Sequence, residues 1–479
     1  MAYNLTERYQ EKFGIKTRLR GYQRQAANQA IAQDGVIALL MDPRLGKTRV
    51  DIAVSGYLFK NEGLDKWLII CPVIAMDVWK QEIINSLDVP YELELILGRM
   101  RERRAIVKGW QATPGKLSIL IMNFEALGRI RKVLYKFRAK KTSIDESHRI
   151  KNRTTTQSKV AHTLGLKSEF RTILTGTFMS KPYDCFSQYK FLDPSILGTK
   201  WKRSHKSKDQ SQGFLDVYAD KWGFGGHMPT SWKNLDELHR LIHTRAFYLT
   251  RAQAGGFPEE HTQDFSFTLT NPALRHYREM EDELRTMVEG HRVSAAIVLT
   301  QILRLQQITG GFLPVLRPDE DQATNVPLGN DRIMALADLL DQYPVDEPLV
   351  ILAKFRYEIS AILELVKKMG RTTNSIVGGM KNRPQAIADF QSGLVSTSVV
   401  QIRAGGISVD LSRADTAIFY STSDHMAYEQ ARARIIARTG GRVFFLRLKA
   451  EGTIDEGILE SLDRNQDTVT NIMEKLHLL

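Results

Sequence analysis

The chain has 479 residues, a formal net charge of +13, 43% apolar and 25% charged residues, and two cysteines, Cys71 and Cys185. That composition is ordinary for a soluble globular protein of roughly two to four domains; it excludes a disulfide framework or a Cys-rich zinc site, and its basic surplus points to a polyanionic partner. No apolar run reaches the roughly 18 to 20 residues needed to span a bilayer, and the N-terminus lacks a signal-peptide pattern, so a cytoplasmic protein with no membrane partner is expected.

Residues 18–33 (RLRGYQRQAANQAIAQ) read as a turn followed by a helix. VIALLM (36–41) is a short apolar run of buried-strand type that leads into Leu45-Gly46-Lys47-Thr48. TRVDIAVSGYLF then has helical periodicity. WLIICP (67–72), LSILIMNF (117–124) and RTILTGT (171–177) are further strands, and VIAMDVWKQEIINSL (73–87) is a helix. Strands alternating with helices imply a parallel sheet covered on both faces, with ligands bound at the carboxyl ends of its strands. From about 196 to 330 the chain becomes more helical and polar, with Gly-rich breaks and two long helical stretches around 272–308. The alternation resumes with PLVILA (348–353), TNSIVGG (373–379), SVVQIR (398–403) and TAIFYS (416–421). RVFFLRL (442–448) and a helix from about 454 close the chain. The expected plan is α/β, with parallel-sheet domains over 1–195 and 331–479 and a helical insertion over 196–330.

After a strand, the N–H groups of a Gly46-Lys47-Thr48 loop point at phosphate oxygens, and the next helix presents its N-terminus to the same charge. Lys47 is placed to reach the β- and γ-phosphates and Thr48 to hold magnesium. The strict pattern has glycine where Met41 stands. Asp145-Glu146 puts two carboxylates after the polar stretch KKTSI. Asp145 suits a magnesium role and Glu146 the positioning of an attacking water. Thr175-Gly176-Thr177 ends a strand and also reads as a plain turn. Arg434 and Arg438 follow the TAIFYS strand, and such arginines stabilise charge on a transferring phosphoryl group or face DNA. Basic residues cluster at 129–141, including Arg131 and Lys132, and at 200–208, including Lys202 and Arg203. Both runs are candidate nucleic-acid contacts.

The order of these segments resembles the superfamily-two helicases and translocases, in particular their Swi/Snf-like branch, from about Arg18 to Leu462. LRGYQRQAAN (19–28) is similar to the nucleotide-reading segment, MDPRLGKT to motif I and IICPVIAMDVWKQEI (69–83) to motif Ia. DESHRIKN (145–152) resembles motif II with its His-Arg-Ile-Lys-Asn continuation, and ILTGTFMSKPYDCFSQYKFLDP (173–194) resembles motif III with its extension. ILAKF (351–355), IRAGGISVDLSRADTAIFY (402–420) and YEQARARIIARTG (428–440) resemble motifs IV, V and VI. The resemblance implies two RecA-like domains that use ATP and Mg2+. Gln23 would read the adenine, Leu45, Gly46, Lys47, Thr48, Gly406 and Gln430 would contact nucleotide, and Arg434 with Arg438 would act as fingers. Lys354 and Arg403 would contact DNA phosphates.

The implied activity is ATP-driven movement on duplex, forked or branched DNA, as in branch migration or fork remodelling during replication, recombination or repair. A compact motor of this kind suggests a bacterial or phage-infected cell. Two other readings stay open: a strand-separating helicase on DNA or RNA, and a DNA-binding scaffold with a degenerate ATPase. The sequence names no protein partner.

Overall fold

A computed structural model describes residues 10–110, 113–176, 178–179, 181–198, 210–222, 228–290, 295–316, 323–380, 382–403, 409–422, 424–436 and 441–464. The chain divides into two compact units, Met1–Gly255 and Gly256–Leu479.

The first unit is built on seven strands. They are β1 (Val36–Met41), β2 (Lys66–Cys71), β3 (Tyr91–Leu95), β4 (Leu117–Asn123), β5 (Lys141–Asp145), β6 (Phe170–Thr175) and β9 (Ala246–Leu249). Their order is β3-β4-β2-β5-β6-β1-β9, and every pairing is parallel. Strands β1, β4 and β5 are buried along their whole length, as a sheet covered on both faces requires. A short antiparallel hairpin, β7 (Ala219–Trp222) and β8 (Met228–Trp232), belongs to the same unit.

The second unit carries a six-stranded parallel sheet. Its strands are β10 (Glu259–Phe267), β13 (Leu349–Ala353), β14 (Thr373–Ile376), β15 (Thr397–Gln401), β16 (Thr416–Phe419) and β17 (Arg442–Ala450), in the order β10-β17-β16-β13-β15-β14. A hairpin of β11 (Phe312–Val315) and β12 (Thr324–Pro327) lies apart from it.

The fold is therefore α/β with two parallel-sheet domains, and the runs read from the sequence as strands lie inside its sheets, except TNSIVGG, which forms the edge strand β14. The segment 196–330 differs from one helical insertion. It does contain the long helices Ala273–Gly290 and Ala295–Thr309. It also supplies β9 to the first sheet and β10 to the second, with the division between units at Gly255. Both are edge strands, so one side needs no apolar partner, and β10 (EEHTQDFSF) reads as polar chain. Among the described residues no helix is long and apolar enough to cross a membrane.

Candidate active site

The phosphate loop runs from the carboxyl end of β1 into the helix Lys47–Asn61. Gly46 caps this helix with φ +82°, a left-handed conformation that favours glycine. A Cβ there would also collide with Gln23 Nε2. Gln23 is buried, and both ends of its amide are engaged: Nε2 donates to the Leu45 carbonyl at 3.0 Å, and Oε1 accepts from Arg20 N–H at 2.9 Å. It braces the loop from below. The Lys47 ammonium folds onto its own loop, donating to the carbonyls of Met41 at 2.7 Å and Asp42 at 3.2 Å. Thr48 follows, half-buried. Met41 departs from the strict loop pattern because it is the last core residue of β1, fully buried, and its carbonyl rather than its side chain faces Lys47.

Asp145 ends β5, and Glu146 turns the chain with φ 52°, a conformation uncommon for a non-glycine residue. Asp145 Oδ2 accepts from Trp79 Nε1–H at 2.8 Å, and Oδ1 from Glu146 N–H at 3.0 Å. Burial, then the Glu146 charge, push the Asp145 carboxyl up to about 6. Burial opposes ionisation of Glu146 as well, yet the His148 hydrogen bond and charge, with Lys47, hold its carboxyl below the usual range. His148 Nδ1 lies 3.2 Å from Glu146 Oε2. Burial lowers the pKa of Lys47, against the pull of Glu146 and Asp145. Lys47, Asp145 and Glu146 thus share one site at the ends of β1 and β5, with Asp42 and Arg251 also acting on the Lys47 charge.

Strand β6 lies between those two strands. The loop after it comes close to the phosphate loop: a Cβ on Gly176 would sit 2.8 Å from Pro43 Cδ. Glycine here permits a close approach, which the plain-turn reading of Thr175-Gly176 leaves out. Gln188, on the helix Asp184–Leu192, ties the loops together. Its Nε2 donates to the Phe178 carbonyl at 2.7 Å, and its Oε1 accepts from Ser147 Oγ–H at 2.6 Å.

The polar sequence before Asp145 has a partner for each side chain. Lys141 is wholly buried; its ammonium donates to Asp51 Oδ1 at 2.7 Å and Ser55 Oγ at 2.6 Å, and lies 5.0 Å from the Trp67 ring centroid. Thr142 bonds to Ser168, and Ser143 accepts from Trp67 Nε1–H.

In the second unit, Gln430 and Arg434 lie on the helix His425–Ile435. Gln430 is half-buried and Arg434 is buried at 4% exposure. Arg432, between them, pairs with Glu260 at 2.6 Å and Glu429 at 2.8 Å, which gives it a structural use. Lys354 is half-buried against Gln306, and burial, with the Arg403 charge, pushes its pKa down to about 8. Arg403 is exposed and pairs with Asp424 at 2.7 Å. The structure therefore separates the two candidate DNA contacts: Arg403 is presented outward and Lys354 is turned into a polar network. Arg438, Gly406, Thr177, Lys202 and Arg203 lie outside the described residues.

Most of the basic run 129–141 lies on the amphipathic helix Leu127–Phe137, which buries Leu127, Ile130, Leu134 and Phe137 and exposes Arg129, Arg131, Lys132 and Lys136, while Lys141 is buried in β5. These line an open groove of about 890 Å³ together with Arg104 and Lys108 of the helix Met100–Gly109. The groove's second wall was not read from the sequence, although MRERRAIVKG carries four basic residues of its own.

Each unit is built on a parallel α/β sheet, and the first carries both the Gly46-Lys47-Thr48 loop and the acidic pair at its strand ends. The chain belongs to the SNF2-related domain family, whose model matches residues 22–309. Membership places it in the Swi/Snf-like branch of superfamily two. The chain is 26% identical over 445 residues to the SWI/SNF chromatin-remodeling complex subunit snf22 of Schizosaccharomyces pombe, covering 87% of this chain and 25% of that protein. It is 24% identical over 467 residues to an uncharacterized ATP-dependent helicase of Mycoplasma genitalium, covering 94% of this chain and 42% of that one. Among solved structures it is similar to a Sulfolobus solfataricus SWI2/SNF2 ATPase core in complex with dsDNA, at 21% identity and a TM-score of 0.45, covering 96% of this chain and 94% of that one. The chain spans a quarter to less than half of the length of those two curated relatives.

Proposed function

We propose that this chain is an ATP-driven translocase on duplex DNA that acts at forked or branched sites, as in branch migration or fork remodelling. The observation that carries the reading is the joint placement of Lys47, Asp145 and Glu146. The Lys47 ammonium rests on loop carbonyls that phosphate oxygens can replace. The Thr48 hydroxyl and the Asp145 carboxylate are hard oxygen donors of the kind magnesium takes, and a divalent cation there would relieve the charge crowding between Asp145 and Glu146. Bound at these residues, Mg2+ supplies neutralisation of charge on the β- and γ-phosphates. Glu146, held ionised beside His148, orients a water and accepts its proton. By their resemblance to motifs V and VI, Arg434 and Arg438 are the arginines proposed to stabilise phosphoryl charge, and Gln430 and Gly406 the proposed nucleotide contacts.

DNA as the polymer is supported by the groove of Arg104, Lys108, Arg131 and Lys132 and by exposed Arg403. Relatives named as a chromatin-remodeling subunit and an ATP-dependent helicase support it too. Phosphate contacts suit a motor, because they position the protein without reading sequence. A cytoplasmic location in a bacterial or phage-infected cell belongs to the same reading, and the buried free thiols of Cys71 and Cys185 fit a reducing compartment.

A triplex-displacement assay tests the translocase reading. A third strand annealed to a blunt duplex should be released on addition of ATP and Mg2+, and Lys47→Ala should release none. Separation of a simple fork without third-strand release would favour a strand-separating helicase instead.

A further inference from the structure

Trp79 lies on the helix Met76–Ser86, which follows β2 after the short turn Val73–Ala75, and is 1% exposed. Its indole Nε1–H donates to Asp145 Oδ2 at 2.8 Å. The ring also packs against Trp67 of β2, edge to face at 6.1 Å and 81°. Trp67 uses its own Nε1–H on Ser143 Oγ at 2.8 Å, two residues before Asp145. Two buried indoles from neighbouring elements therefore each donate one hydrogen bond to β5. One holds a serine hydroxyl, and the other holds the carboxylate at the nucleotide site. An indole N–H is a donor only, so Trp79 cannot change roles when the site fills. Oδ1 already takes the backbone N–H of Glu146, so the indole fixes the carboxylate's remaining freedom.

We infer that Trp79 is the positioning residue for the magnesium carboxylate: it holds Asp145 in one orientation from the helix that follows β2. An outer partner of this kind sets ligand geometry, and its removal typically costs about 10- to 100-fold in metal affinity or activity. The inference rests on the ATPase reading above.

The test is calorimetric titration of the full chain with ADP, once with Mg2+ and once with EDTA. In the wild type Mg2+ should tighten ADP binding. In Trp79→Phe that gain should fall about 10- to 100-fold, with affinity in EDTA unchanged. The Mg2+ concentration for half-maximal ATPase should rise in step, while KM for ATP at saturating Mg2+ stays the same. Trp67→Phe removes an equally buried indole N–H from the same ring pair and should keep the wild-type gain. A Trp79→Phe chain that keeps the full gain, or an equal loss in both variants, overturns the inference. If Trp79→Phe does not fold, Trp79→Tyr replaces it. Failure of both to fold assigns the indole to the core alone and also overturns the inference. A wild type whose nucleotide binding is the same with Mg2+ and EDTA, and the same as that of Lys47→Ala, contradicts the ATPase reading itself. A normal wild type beside a normal Trp79→Phe contradicts only the role of Trp79.

Discussion

Asp145 carries a stability cost that its burial beside Glu146 imposes. Its carboxyl is pushed from 3.8 to about 6 by burial and the Glu146 charge. Between those values the folded chain holds a proton that the unfolded chain releases, so stability falls as pH rises through that window, and the full penalty is present above it. Wild-type thermal stability should therefore fall as pH is raised from 4 to 8, and Asp145→Asn, which removes the titrating group and should abolish ATP turnover, should lose that part of the pH dependence. Melts of both proteins across this range check it. The same pH dependence in the wild type and the Asn variant would count against the site's electrostatics. The positions of Lys47, Asp145 and Glu146 at strand ends were legible from the strands that precede them. The contacts of Trp79 and Gln188 were not, since their bonds to Asp145 and Ser147 span 66 and 41 residues and have no local signature.

Strand β5 shows what an element's composition conceals. KTSID is polar for a strand buried on both faces, yet each polar side chain has a partner, and Lys141 is neutralised by Asp51 on the helix that begins at Lys47. Breaking one half of such a pair leaves a buried charge and costs about 3–5 kcal/mol, whereas replacing both by apolar groups is often neutral. Lys141→Met should accordingly lower the denaturation midpoint sharply, and Lys141→Met with Asp51→Leu should recover most of the loss. Additive losses in urea titrations would show that the pair is not coupled. The central strands were readable from unbroken apolar runs such as VIALLM and LVILA. The edge strands YELEL and EEHTQDFSF were not, because one exposed side removes the apolar pattern on which recognition depends, and AFYL, though apolar, is only four residues long.

At the scale of the whole molecule, charge and topology are the legible features. The net charge of +13 is concentrated in part along one groove of the first unit, between the helices Met100–Gly109 and Leu127–Phe137. Two α/β domains followed from the alternation of strands and helices, but the division at Gly255 did not. It falls between β9 and β10, short or polar strands that join different sheets, and only their pairing reveals which sheet each completes. The central claim is that this fold hydrolyses ATP in response to DNA, through Lys47. The most direct measurement is the steady-state ATPase rate of the wild type and Lys47→Ala, with single-stranded, duplex, forked and four-way DNA and with RNA as control. The account predicts stimulation of the wild type by duplex and branched DNA, and a Lys47→Ala rate lower by about 100-fold or more. Equal rates for the two proteins, or stimulation by single strands and not by duplex, would contradict it.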